Sequence, residues 1–340
     1  MLGIDGIVGL EFDPVACATA QAAGFIRHCV DVAAVHPSMY AGAVGLIGSP
    51  PCQAWSRGGK QLGRVDQQAC HELADRMATG DDDTTWRDWA DPRSPLVCQP
   101  VRWVRELRPE WVALEEVPAV LPLWEHFARI FQTWGYSTWV GVLNSADYGV
   151  PQTRKRAILI ASRTRTVSMP EPTHSRDAAT GTDRWVSMAD ALGWGFDNEP
   201  SATVSGGGAA TGGAEPFANA NYRRRLAEHV RAQVQRVGEP RDADWVCDRP
   251  ATTIVGSFCP DVVSAPGYRT TVSRQNAPGS VRITVAEAGV LQSFPADFPW
   301  HGPKTKAHQQ VGNAVPPLLA FHVLRAAGAD SSVDDIKVAA

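Results

Sequence analysis

Residues 48–60 read Gly-Ser-Pro-Pro-Cys-Gln-Ala-Trp-Ser-Arg-Gly-Gly-Lys, which sets one cysteine, Cys52, behind two prolines and ahead of small polar residues. A thiol just past the C-terminal end of a parallel strand lies where open α/β sheets place their ligands. The start of a following helix is expected to lower its pKa toward thiolate. A cysteine alone is more often a buried structural thiol, but the exposed turn built by these neighbours favours a nucleophile. Further on, Glu115 and Glu116 stand side by side ahead of Val117 and Pro118. A surface loop is the default home for such a pair. At a strand tip beside a nucleophile, two acids suit a general acid instead, with one carboxyl raised by the charge of the other. The run Gln152-Thr-Arg-Lys-Arg156 then puts Arg154 and Arg156 on one side of an extended segment. That pair reads either as a solvated basic edge or as a bidentate clamp for a carbonyl or phosphate.

The elements that must carry these groups are short apolar runs alternating with amphipathic stretches. Residues 6–10 and 44–48 read as buried strands, with a helix over about 14–23 between them; residues 96–107 read as a helix and 111–114 as a strand. Trp124, Phe127, Phe131 and Trp134 recur at helical spacing and mark a core-facing helix. Thr138, Val140 and Val142 alternate as a strand does, and residues 157–161 suit another. The alternation predicts an α/β fold with a doubly wound, mostly parallel sheet over residues 1–165. Residues 64–92, with Asp81, Asp82 and Asp83, read as a solvated insertion. Residues 166–280 are rich in Pro, Gly, Ser and Thr and predict a second, small, loop-rich region, in which residues 222–237 form a helix bearing Arg223, Arg224, Arg225, Arg231 and Arg236. Residues 281–328 return to the first domain, and 329–340 read as a frayed tail.

Composition narrows the options. A length of 340 residues, at about 150 per domain, suits roughly two domains, and 44% hydrophobic residues excludes gross disorder. With 32 basic against 36 acidic side chains, the net charge of -4 means that a polyanion must be met by a local patch. Seven cysteines with no C-x-x-C spacing argue against a disulfide scaffold and against a metal site. No window approaches the ~18 apolar residues of a membrane span, so a cytoplasmic chain with no membrane partner is expected.

Taken in order, the three chemical segments resemble the DNA cytosine-5 methyltransferases, and the likeness runs over nearly the whole chain. The Pro-Cys-Gln loop is similar to the family's nucleophile motif, Glu115-Glu116-Val117 to its Glu-Asn-Val motif, and the segment 152–156 to its Q-x-R-x-R motif. Residues 282–288 with 291–295 resemble the ninth motif, and residues 310–317 the tenth. The resemblance implies a methyltransferase fold of the Rossmann-like kind with a small target-recognition region. It also implies transfer of a methyl group from S-adenosylmethionine to C5 of cytosine. Cys52 would add to C6, Glu115 would protonate or hydrogen-bond N3, and Arg154 and Arg156 would hold the base and the covalent intermediate, with Gln53, Ser56 and Gln152 among the substrate contacts. The target base would be flipped out of the duplex.

For the cofactor, the resemblance implies that Glu11 accepts ribose hydroxyls and Phe12 stacks on adenine. Asp31 and Val32 would meet the adenine edge, Leu96 would line the pocket, and Asn313 and Val315 would close it. The implied partner is double-stranded DNA, bound by a monomer, with a cognate restriction endonuclease acting on the same site. The arginines of residues 222–237, with Tyr268 and Arg269, are candidates for DNA contacts. Two other functions share much of this pattern: an impaired methyltransferase-like protein that only holds DNA, and an RNA cytosine-5 methyltransferase. The sequence departs from the family twice. The Phe-x-Gly-x-Gly-Gly loop has no counterpart ahead of residues 1–9, which predicts an upstream start or an empty central position in the sheet. Glu116 stands where the family has Asn, and is expected to keep Glu115 protonated or to repel phosphate.

Overall fold

The computed structural model describes residues 4, 6–56, 60–193, 250–252, 254, 262–263, 281–329 and 338–339. Its first half is a run of strands and helices: β1 (Ile7–Glu11), α1 (Pro14–Ala22), β2 (Ile26–Cys29), β3 (Gly45–Gly48), α2 (Gly63–Thr79), α3 (Gln99–Leu107), β4 (Trp111–Glu116), α4 (Leu121–Thr133), β5 (Ser137–Asn144), β6 (Gln152–Thr153) and β7 (Lys155–Ser162). Helix α1 starts where Asp13 accepts the Val15 amide at 2.9 Å, with Pro14 in the first turn, where its missing N–H costs nothing.

Four strands form a sheet in the order β3-β4-β7-β5. The β3–β4 pair is parallel, while β7 runs antiparallel to both β4 and β5. β1 and β2 form a separate parallel pair. The expected α/β sheet is present, then, but its larger part is mixed. Strand alternation gives β4 two buried faces. Val112 and Leu114 join Leu73, Val101, Phe127 and Phe131 from α2, α3 and α4, while Trp111 and Ala113 join Leu319, Val323 and Ala327 from a late helix, α8 (Pro317–Ala327). Helices thus cover both sides of the strands that carry the chemistry.

Residues 64–92 are not a solvated insertion. Asp66, Ala69, Cys70, Leu73, Ala74 and Met77 are buried along α2, a stripe at i, i+3, i+4, i+7, i+8 and i+11 that the polar average of the segment conceals. Asp66 earns its place in that stripe by accepting the amides of Ala90 and Asp91 at 2.9 and 3.0 Å, which ties the acidic loop back onto the helix. A second, small core joins Met188, Ala189 and Leu192 of α5 (Met188–Leu192) to Ala251, Ile254 and Ile283, to Ala288 and Leu291 of α6 (Val285–Leu291), and to Val311 of α7 (Lys304–Asn313). The arginine-bearing residues 222–237, with Tyr268 and Arg269, lie outside the described residues. The tail is not wholly frayed: Val338 and Ala339 pair in parallel with Ile7 and Val8, so this edge of β1 is not left empty.

Candidate active site

Register brings the chemical segments together. Gly48 of β3 stands opposite Leu114 of β4, so the chain leaving β3 passes beside Glu115 and Glu116. Antiparallel β7 begins at the same end, with Ala157 opposite Glu116 and Ile158 opposite Glu115. Arg156, one residue earlier, therefore meets the tip of β4. Gly48 is needed for this close approach, because a Cβ there would lie 2.8 Å from a Leu114 methyl. Ser49 donates to Glu115 Oε2 at 2.6 Å, and Arg156 Nε lies 2.8 Å from Glu115 Oε1. Glu115 is thus locked between the segment leading to Cys52 and the basic segment.

Cys52 opens a single 3-10 turn, Cys52–Ala54, and its carbonyl accepts the amides of Trp55 and Ser56 at 3.0 and 2.8 Å. Trp55 is buried beneath, while Gln53 and Ser56 remain partly exposed on the turn. The expectation of a depressed thiol pKa fails. Burial first, and the charge of Glu116 second, push Cys52 up to about 11 against the opposing pull of Arg156 and Arg154. Cys52 heads a 3-10 turn of three residues and not a helix of its own, so no aligned helix dipole starts at the thiol.

The acids also divide their work differently from expectation. The pKa of the Glu116 carboxyl rises well above the usual range, through burial first and through Glu115 second. Its Oε2 accepts the Val117 amide, and its Oε1 is buried with no hydrogen-bond partner. Arg154 is 1% exposed. Its Nη1 donates to the carbonyls of Gly312 and Ile254 at 2.9 and 3.4 Å, and burial with the nearby Arg156 pulls its pKa down to about 9, still protonated at neutral pH. Gln152 donates to the Leu291 carbonyl at 3.2 Å and accepts the Ile254 amide at 2.9 Å. Both side chains strap the segment leading into β7 to the second core, so neither amide nor guanidinium is an open clamp of the kind the sequence suggested.

Of the second group of predicted residues, Glu11, Phe12, Asp31 and Val32 lie at the C-terminal ends of β1 and β2. Glu11 Oε1 accepts the amides of Phe12 and Asp13 at 2.7 and 2.8 Å, which fixes a carboxylate at the strand end. The Phe12 ring is 74% exposed. Asp31 Oδ1 accepts the Ala33 amide at 2.9 Å, and Val32 follows it. Helix α7, which ends at Asn313, is drawn against this edge by an ion pair of 3.0 Å between Lys306 and Asp13, and by the His301 amide donating to Thr19 at 2.9 Å. Val315 follows in the turn into α8, and Leu96 lies in the 3-10 turn Ser94–Cys98, where Asp91 and Arg93 form an ion pair of 2.7 Å. A pre-oriented carboxylate, a second acid and an exposed aromatic ring form a donor set suited to the hydroxyls and flat purine of an adenosyl group. Among the described residues no cluster could hold a metal ion, and no helix is long and apolar enough to cross a membrane.

Sequence reasoning missed Ser49 and Lys306. A serine directly before Pro-Pro-Cys was the available signal for the first; nothing local marks the second, whose partner lies 293 positions away.

The α/β sheet brings a thiol, two adjacent carboxyls and two arginines to one end of its strands, beside a second strand end that carries acids and an exposed aromatic ring. The sequence profile described as C-5 cytosine-specific DNA methylase matches residues 84–329, and the chain belongs to that family. It is a DNA cytosine-5 methyltransferase, and S-adenosylmethionine is its methyl donor. Among curated relatives, Type II methyltransferase M1.HphI of Haemophilus parahaemolyticus is 29% identical over 83% of this chain and 67% of its own length. M.XorII of Xanthomonas oryzae is 28% identical over 94% and 78%. Among solved structures, a mutant of Spodoptera frugiperda DNMT2 superposes with a TM-score of 0.57 at 13% identity, covering 96% of this chain and 93% of that one. The Entamoeba histolytica methyltransferase EhMeth gives 0.55 at 12% identity over 94% and 88%. At such identities the structural likeness concerns the fold alone.

Proposed function

We propose that this chain methylates C5 of cytosine in double-stranded DNA through a covalent adduct at Cys52, on a base flipped out of the helix, as the modification half of a Type II restriction-modification system. The observation that supports it is the meeting of the Cys52 turn with Glu115 and Arg156 through Ser49 and the 2.8 Å ion pair. C5 of cytosine is a weak nucleophile. Addition of the Cys52 sulfur to C6 forms an S–C6 bond and moves the C5=C6 electron pair toward C5, while Glu115 supports N3 and Arg156 the carbonyl side of the ring. The cofactor supplies the methyl group that C5 accepts. Transfer of the C5 proton to water then restores the double bond, breaks S–C6 and returns the thiolate. Glu11, Phe12, Asp31 and Val32, with Leu96, Asn313 and Val315, would hold the adenosyl group, and Gln53 and Ser56 border the base.

Duplex DNA carrying 5-fluorocytosine tests the adduct, because fluorine cannot leave as the proton does. With S-adenosylmethionine present, the full chain should form a complex that survives denaturation and maps to Cys52, and Cys52→Ser should form none. Tight DNA binding without any adduct rejects the mechanism. Bisulfite sequencing of DNA from cells expressing the chain should report protected cytosines in one sequence context.

A further inference from the structure

The departure at Glu116 has a physical setting of its own. The carboxyl is 1% exposed at the tip of β4, with its Oε1 buried and without a hydrogen-bond partner. The ionisable groups that act on it or on Cys52 come from every side: Glu115 on the same strand, Arg154 and Arg156 from the segment leading into β7, and Cys52 from the turn after β3. Arg93, in the loop before α3, also feels the Cys52 charge. In this cluster Arg93 is matched by Asp91 at 2.7 Å, and Arg154 and Arg156 balance Glu115 and a Cys52 thiolate when Glu116 is neutral. Ionisation of Glu116 leaves one negative charge uncompensated in a place with little water, where it is poorly screened.

We propose, on the reading of Cys52 as the nucleophile, that Glu116 is a proton-bearing positioning residue for that thiol: its acid form allows the thiolate within a balanced cluster, and its ionised form holds the sulfur protonated. Glu116 thereby replaces a neutral amide by a group that is equally neutral only while it keeps its proton. Its burial favours that acid form, and Cys52 is in turn raised by the carboxylate. An ionised Glu116 opposes the thiolate, so the reactivity of the thiol should rise at higher pH than in a variant whose residue 116 carries no charge.

The test is alkylation of Cys52 by iodoacetamide across pH in the full chain, read by mass spectrometry of the Cys52 peptide. In Glu116→Gln and in Glu116→Asn the midpoint should fall by about one pH unit, which makes Cys52 roughly tenfold more reactive at a fixed pH below both midpoints where the parent Glu116 is ionised. An unchanged midpoint in either variant, with native circular dichroism, overturns the proposal. Should Glu116→Gln fail to fold, Glu116→Asn decides alone; failure of both to fold also overturns it, because Glu116 then serves the fold and not the thiol. Alkylation needs neither DNA nor the methyl donor. A shifted midpoint without a fluorocytosine adduct would therefore sink the proposed function and leave this inference standing, and the reverse result would do the opposite.

Discussion

Two strand ends, one in each sheet of the first half, carry polar groups in opposite ways. Around the tips of β3 and β4, Glu115, Glu116, Arg154 and Gln152 are all at most 9% exposed, and Glu115 is paired with Arg156 at 2.8 Å. At the tips of β1 and β2, Phe12 is 74% exposed, and Asp31 is open to solvent. The difference teaches what each end can do. Buried charge shifts pKa values and is preorganised for a reacting base. An open edge offers a flat ring and oriented acceptors that a ligand must come and cover, so it contributes to binding more than to reactivity.

The comparison can be broken most severely at Glu115. Glu115→Gln removes both the partner of Arg156 and the acid at the base, and should lower kcat by about 10²–10⁴-fold with less change in DNA affinity; a loss confined to affinity would erase the distinction between the two ends. Phe12→Ala should act in the other direction, weakening S-adenosylmethionine by about tenfold through lost stacking while kcat at saturating cofactor stays near the parent value, as calorimetry and initial rates would show. The smallest effect is on stability. Glu116 has a folded pKa above its unfolded one, so its contribution is fully present below the unfolded value near 4.5 and is lost as pH rises through the folded value. Denaturant unfolding should show stability declining over that window by at most about 1.4 kcal/mol per pH unit, and Glu116→Gln should flatten the slope. A parallel slope in the variant would mean that the buried carboxyl is not the group responsible.

Legibility varied with the range of the interactions involved. Strands β3, β4 and β7 were readable because buried strands announce themselves as apolar runs, and the ordered motifs made the cysteine, the acids and the arginines candidates before any contact was known. Helix α2 was misread because Asp81, Asp82 and Asp83 and the polar flanks dominate the local average, although Asp66, Cys70, Leu73 and Met77 already had helical spacing. The role of Arg154 was hidden because its acceptors, the carbonyls of Ile254 and Gly312, are 100 and 158 positions away.

The amino-acid sequence by itself determined which side chains are available: a thiol after two prolines, two adjacent acids, two arginines two positions apart, and an acid and an aromatic ring after the first strand. Only the tertiary structure decided which acid pairs with Arg156, which one is driven toward its neutral form, and that the thiol is raised instead of lowered. Residue type fixes the ordinary proton affinity of a group, whereas burial and the charges that folding brings within a few ångströms fix how far it departs from it.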